Sequence, residues 1–215
     1  MNKERQYSTT DHLCLNIDSV LRTLFNNPQT TQRPYPVEKN KKTHLSQQEQ
    51  QHSAGLMRIN HAGEICAQAL YQGQAVTSQS TVTREKMQQA ALEEGDHLAW
   101  CCRRLEELGS HTSYLNPLWY TGSYLIGLAA GMAGDRWSLG FVAETEKQVV
   151  AHLQKHLETL PEKDEQSYQI LQKMQKDEEQ HREEAISLGA IELPAVIQKA
   201  MQWTSCIMVK AAYWI

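Results

Sequence analysis

The chain runs to 215 residues with 40% hydrophobic content, enough for a full core and better suited to one domain than to two. Its formal net charge of −4, without a basic stripe, argues against a nucleic-acid partner. Five cysteines, Cys14, Cys66, Cys101, Cys102 and Cys206, form no C-x-x-C pair, and their odd number argues against a disulfide framework, so a reduced setting is expected.

In chain order, Met1-Asn2-Lys3-Glu4-Arg5 and the mixed polar residues after it offer neither the apolar core of a signal peptide nor the Arg-rich, acid-poor character of a transit peptide, and no export is expected. Residues 12–25 place Leu13, Ile17, Val20, Leu21 and Leu24 on one side of a short amphipathic helix. From Asn26 to Lys42 three prolines among polar residues predict an extended linker wrapped on the surface. Residues 1–44 therefore read as an N-terminal short helix and linker, and 45–215 as one helical domain.

Two Glu-x-x-His units dominate that domain, Glu94-Gly95-Asp96-His97 and Glu178-Glu179-Gln180-His181. On a helix a three-residue step puts Glu and His on one face, so each unit offers one metal a carboxylate and an imidazole together. A further glutamate precedes each unit, Glu64 and Glu146. Antiparallel helices place side by side those residues that are equidistant from the turn. The midpoint of Glu64 and Glu94 is Gln79, inside the turn-forming run Thr77-Ser78-Gln79-Ser80-Thr81, and the midpoint of Glu146 and Glu178 is Glu162, next to Pro161. The pattern predicts a carboxylate-bridged di-iron site inside a four-helix bundle.

Periodicity turns these ligands inward. Ala90, Glu94, His97, Cys101 and Leu105 form one stripe, Val142, Glu146, Val149, Leu153 and Leu157 a second, and Leu171, Met174, Glu178, His181, Ala185 and Leu188 a third. A glutamate inside an apolar stripe costs several kcal/mol unless its charge is compensated, and a metal is one way to compensate it. Glu144, Glu179, Glu183 and Glu184 are expected to be ordinary solvated charges, and Cys101 a small buried hydrophobe. Asn60 and His61, one turn before Glu64, either orient it or cap the start of a helix.

From Thr112 to Gly134 the chain carries no charge and is long enough to cross a bilayer, but Tyr, Ser, Thr and four glycines dilute its apolar character. The reading favoured here is a hydrophobic crossover between bundle helices 2 and 3 that also lies in a lipid interface, anchored by Trp119, Tyr120 and Tyr124, with Gly127-x-x-x-Gly131 packing closely on another helix. Residues 193–215 predict an additional C-terminal helix with Val196, Ile197, Ala200, Trp203, Ile207, Met208 and Ala211 apolar, suited to a lipid or partner surface.

Arg58-Ile59-Asn60-His61-Ala62-Gly63-Glu64 with Tyr71-Gln72-Gly73-Gln74, Glu94-Gly95-Asp96-His97-Leu98, Pro117-Leu118-Trp119, Glu146 with His152, and Asp177-Glu178-Glu179-Gln180-His181 make the stretch from Leu56 to Ile215 resemble the demethoxyubiquinone hydroxylases, membrane-associated di-iron monooxygenases of ubiquinone biosynthesis. The resemblance implies an all-α, ferritin-like four-helix bundle in which Glu64, Glu94, His97, Glu146, Glu178 and His181 bind two Fe ions per subunit, with Glu94 and Glu146 among the bridging carboxylates. It places His152 near the site, as an outer partner of the ligands or a satisfied structural histidine. Leu153 stands where some members carry a tyrosine.

The implied reaction is hydroxylation of the ring of 2-polyprenyl-3-methyl-6-methoxy-1,4-benzoquinol by dioxygen to 3-demethylubiquinol, with NADH or the quinol as reductant. No Gly-rich dinucleotide fingerprint is present to decide between the two. The implied setting is the cytoplasmic face of the cell membrane as a peripheral protein, with a membrane-embedded polyprenyl quinol as substrate. Lipid-binding proteins of ubiquinone biosynthesis and a homo-oligomer are further implied partners. The alternative from another class is a ferritin-like iron-binding or iron-oxidising protein without an organic substrate.

Overall fold

The computed structural model describes residues 8–25, 27–37 and 44–215. Among them the chain is all-α, with helices α1 (Thr9–Leu24), α2 (Gln47–Thr77), α3 (Thr81–Glu107), α4 (Asn116–Met132), α5 (Asp135–Thr159), α6 (Glu165–Ser187) and α7 (Ala195–Trp214). Two hairpins, α2 with α3 and α5 with α6, form a ferritin-like four-helix bundle. Their turns fall where the equidistance of the glutamates puts them. Ser80 caps α3 by accepting from the Thr83 amide, and Asp164 caps α6 by accepting from the Ser167 amide.

Buried side chains fill the bundle in two apolar plugs. Met57, Trp100, Cys101, Leu105, Leu153, Leu171 and Met174 pack at one end, and Ala67, Tyr71, Met87, Ala91, Leu139, Val142 and Ala185 at the other. The four glutamates and two histidines fall between these plugs on every helix, so the sequence stripes become a polar layer closed above and below by hydrocarbon. The predicted inward phase of α3, α5 and α6 is observed, with Lys147 and Lys155 exposed.

Buried polar contacts fix the height of that layer. At one end Asp135, opening α5, accepts from Ser78 Oγ (2.7 Å) and the Ser80 amide (2.9 Å), tying the α2–α3 turn to the second hairpin. At the other end Arg104 of α3 donates to Asp164 Oδ1 (2.8 Å) and Ser167 Oγ (2.9 Å) at the start of α6. Arg58 of α2, also buried, donates to the carbonyls of His111 (3.0 Å) and Tyr213 (2.7 Å), fastening the last turn of α7 to the bundle.

The crossover is α4, which runs parallel to α2 and so lets α3 and α5 run parallel as predicted. Glycine makes this possible, because a Cβ at Gly127 would strike the Leu70 carbonyl oxygen and one at Gly73 the Tyr124 carbonyl oxygen. None of the helices of the described residues is long and apolar enough to cross a membrane. Of the anchors named from sequence Tyr120 is corrected, being buried, while Trp119 and Tyr124 are half-buried against Ile65, Ala69 and Leu98. The exposed apolar side chains of α4 are instead Leu118, Leu125, Ile126 and Met132. In α7 only Ala212 is buried, and Val196, Trp203 (68% exposed), Ile207 and Trp214 face outward.

The predicted N-terminal helix is α1. Val20 and Leu24 dock on Ile65, Leu98 and Tyr120, while Ile17 and Leu21 remain about half exposed and the side chain of Leu13 lies outside the described residues. After it, residues 27–37 form no helix, and 38–43 lie outside the described residues.

Two outcomes follow. Asp164→Ala removes both the buried carboxylate partner of Arg104, leaving it the more exposed Glu107, and the cap of α6, and is expected to cost about 3 kcal/mol in urea unfolding, far above an exposed Asp→Ala change. Burial, with His152 and His52 beside it, pushes the His156 imidazole down to about 3. A depressed pKa contributes stability above the unfolded-state value of about 6.5, lost as pH falls from there towards 3. Urea midpoints between pH 7 and pH 4 should therefore fall more steeply in the wild type than in His156→Asn.

Candidate metal centre

Each candidate glutamate comes from mid-helix, where the backbone is saturated by its own helix and only the side chain is free to interact. Glu64, Glu94, His97 and Glu178 are all buried, and one ligand atom from each can be chosen so that all lie within 4.8 Å of one another. His97 Nδ1 stands 3.0 Å from Glu94 Oε2, 3.0 Å from Glu178 Oε1 and 3.7 Å from Glu64 Oε2. His181 Nδ1 stands 3.2 Å from Glu178 Oε2 and 3.3 Å from Glu94 Oε1. Both imidazoles thus turn the same nitrogen toward one shared pair of carboxylates, Glu94 and Glu178.

Glu146 is buried in the same layer and approaches neither histidine closely enough for an ion pair; its Oε1 accepts from the hydroxyl of Tyr71. Burial and the nearby Glu178 and Glu94 push its carboxyl well above the usual range, and burial with Glu94 does the same to Glu64. For Glu94 burial opposes ionisation, but hydrogen bonds from His181 and His97 win and hold it below the usual range. The two imidazoles are held well above their ordinary value: burial opposes their charge, and the carboxylates around them outweigh it. The layer sets four carboxyl groups against two imidazoles, which stand within 3.0 to 3.7 Å of three of them.

The outer nitrogens complete a near-twofold pattern across the α3–α6 seam. His97 Nε2 donates to Asp177 Oδ2 (3.1 Å), and His181 Nε2 donates to Glu93 Oε2 (2.7 Å). Each acid immediately precedes one of the shared glutamates in sequence and serves the histidine of the opposite helix. This fixes the ring orientation and leaves Nδ1 directed inward, the arrangement that carboxylate–histidine–metal sites use. Sequence reading passed over Glu93, Asp177 and Tyr71 in these roles. The signal was present in the repeated acid–Glu step, Glu93-Glu94 and Asp177-Glu178.

Glu94 Oε1 and Glu178 Oε1 are buried, and each meets only a poorly aligned imidazole Nδ1, at 3.3 and 3.0 Å, so a bound cation would satisfy them better. Mixed carboxylate and imidazole donors suit iron, and two divalent cations would balance four carboxylates once both imidazoles are neutral. Beside His181 a cavity of about 20 Å³, lined by Tyr71, Met87, Ala90, Val142 and Ala185, holds roughly one water-sized molecule.

Several readings change. Asn60 and His61 lie well inside α2, whose cap is Ser46, so they cap no helix start, and the Asn60 amide oxygen meets His156 Nδ1 (3.1 Å) rather than Glu64. His152 packs edge-on against His156, ring centroids 4.0 Å apart. Glu144 is not solvated: it is 6% exposed, and Lys147 Nζ (2.9 Å) and Gln148 Nε2 (2.8 Å) satisfy it. Glu179 and Glu183 are exposed and Glu184 pairs with Lys86. Cys101 is a buried thiol 3.8 Å from Met174 Sδ.

Comparison with known proteins adds an independent line. The family described as ubiquinone biosynthesis protein COQ7 matches residues 51–212. A protein of Legionella pneumophila (strain Paris) named 3-demethoxyubiquinol 3-hydroxylase is 56% identical over 212 residues, spanning 98% of this chain and 100% of that protein. Proteins of the same name from Nitrosococcus oceani and Acinetobacter baumannii (strain ATCC 17978) are each 50% identical over 211 residues, again spanning 98% of this chain and at least 99% of theirs. Identity at this level along almost the whole chain, over a bundle with this buried Glu/His layer, means that the chain belongs to the family of the ubiquinone biosynthesis protein COQ7 and, with it, to the hydroxylating oxidoreductases.

Proposed function

We propose that this chain is a di-iron monooxygenase that uses dioxygen to hydroxylate the ring of 2-polyprenyl-3-methyl-6-methoxy-1,4-benzoquinol, giving 3-demethylubiquinol. The observation that carries the reading is the pair of imidazoles turned by Glu93 and Asp177 so that both Nδ1 atoms face the shared carboxylates Glu94 and Glu178. On this reading Glu64, Glu94, His97, Glu146, Glu178 and His181 hold two irons. Glu94 and Glu178 are the shared carboxylates, where the family pattern pointed to Glu94 and Glu146. Iron in its ferrous form supplies the redox chemistry that ring hydroxylation by dioxygen requires.

The chain's own residues do the rest. Apolar plugs on both sides keep water from the layer, Tyr71 holds Glu146 by a hydrogen bond, and the outer acids hold both imidazoles in one orientation. With dioxygen, ring hydroxylation consumes two electrons and two protons and releases one oxygen atom as water; NADH is the donor, or the quinol itself, which then leaves as the hydroxylated quinone. The outward apolar side chains of α4 and α7 are the surfaces by which the protein rests on the membrane holding its polyprenyl substrate. Those same surfaces speak against the iron-storing alternative, whose exterior would be charged.

Anaerobic loading with ferrous iron should give two irons per chain, and addition of a short-tailed quinol and oxygen a product heavier by one oxygen. Glu178→Ala should lose both the second iron and the product; two irons without product would favour iron handling over hydroxylation. Single-turnover assays with and without NADH identify the donor. Trp203→Ser combined with Leu125→Ser should lower co-sedimentation with anionic liposomes and lower kcat/KM for a long-tailed quinol, leaving a short-tailed one unaffected.

A further inference from the structure

The segment Asn27–Val37 is more than a connection between α1 and α2. It is laid across the seam of α3 and α6 at the height of the metal layer, and one glycine admits it: a Cβ at Gly95 would strike the carbonyl oxygen of Gln29. Two residues on, Thr31 donates to Asp96. The backbone so placed delivers Arg33, whose side chain is 26% exposed, to three acceptors at once: Asp96 Oδ2 (2.7 Å), Asp177 Oδ2 (2.7 Å) and the Glu93 carbonyl (3.1 Å). Its guanidinium lies 5.0 Å above the Trp100 ring, which in turn packs 5.3 Å from the ring of His97.

We propose that Arg33 is a positioning residue of the metal centre: by holding Asp177 against His97 from outside, it sets the affinity of the metal position that His97 serves far more than that of the position served by His181, whose outer acid Glu93 it does not ion-pair. This rests on the metal-centre reading above. The geometry that carries it is a shared atom. Asp177 Oδ2 accepts from both Arg33 Nη1 and His97 Nε2, while the other oxygen of the same carboxylate is taken by Lys173, a side chain 40% exposed. Without the guanidinium, Lys173 draws the carboxylate outward and the imidazole loses the partner that fixes its ring.

The other half of the pattern is held less directly. Arg33 reaches only the backbone carbonyl of Glu93 (3.1 Å), the Glu93 carboxylate is steadied by Gln89 Nε2 (2.8 Å), a neutral donor on its own helix, and among the described residues no lysine or arginine lies within ion-pair distance of it. Two positions that look equivalent in their ligands are therefore unequal in what holds those ligands. Removing an outer partner of a metal-binding histidine typically costs 10- to 100-fold in affinity, and here that cost should fall on one position only.

Stepwise titration of the metal-free protein with Co(II), followed by its visible absorption, reads both positions without turnover. Arg33→Gln is expected to weaken one of the two steps about 10- to 100-fold and leave the other within a factor of a few. Arg33→Lys, which keeps the charge and loses the fork, should fall between. Gly95→Ala lifts the segment without altering a charge and should weaken the same step; it serves if Arg33→Gln fails to fold by circular dichroism. Glu93→Gln should weaken the other step. A lowered unfolding midpoint of the metal-free variant with both constants unchanged would reduce Arg33 to a fastener of the segment and overturn the proposal, as would equal weakening of both steps. A wild-type protein that binds no metal would overturn the metal-centre reading and this inference together, a result distinct from two metals bound alike with and without Arg33.

Discussion

Four carboxylates buried side by side in a hydrocarbon core are the constraint to which the rest of the molecule answers. Each would cost several kcal/mol if left charged and alone, and together they repel one another. The chain meets that cost with two imidazoles from within the layer, a tyrosine hydroxyl, and two acids that steady the imidazoles from outside. A protein built only for stability would fill the same volume with leucine. Retaining the charges makes sense where a cation is to take the place of the imidazole protons.

Much of this could be read from the chain because it depends on spacing. The equidistance of Glu64 and Glu94 from one turn, and of Glu146 and Glu178 from another, fixes which side chains meet, whatever the details of packing. The 3.6-residue period then decides which face carries them inward. What escaped depends on contacts across helices that no local pattern encodes. Glu93 and Asp177 each serve a histidine on the opposite helix, and Arg33 reaches the layer from a segment that reads as polar and proline-rich. On α4 aromatic residues suggest an interfacial belt, whereas Tyr120 fills the space between α4, α2, α3 and α1.

The crossover also shows how backbone proximity and site geometry are linked. Gly73, Gly127 and Gly131 bring α4 against α2 along its length, so the chain returns to the far end and begins α5 in the same direction as α3. That direction puts Glu146 at the height of Glu94 rather than at the opposite end of the bundle. Small residues on one helix pair therefore decide the placement of a carboxylate on another.

The exchange of acids between hairpins has a consequence for how the two halves recognise one another. Apolar plugs are tolerant: a slip of one helical turn, about 5.4 Å, would still set leucine against leucine or methionine at modest loss. The same slip would part His97 from Asp177 and His181 from Glu93 in one movement, leaving charges buried without partners. The polar layer is thus a register key between two helical pairs, and a misaligned bundle is rejected there before hydrophobic packing alone would notice the error.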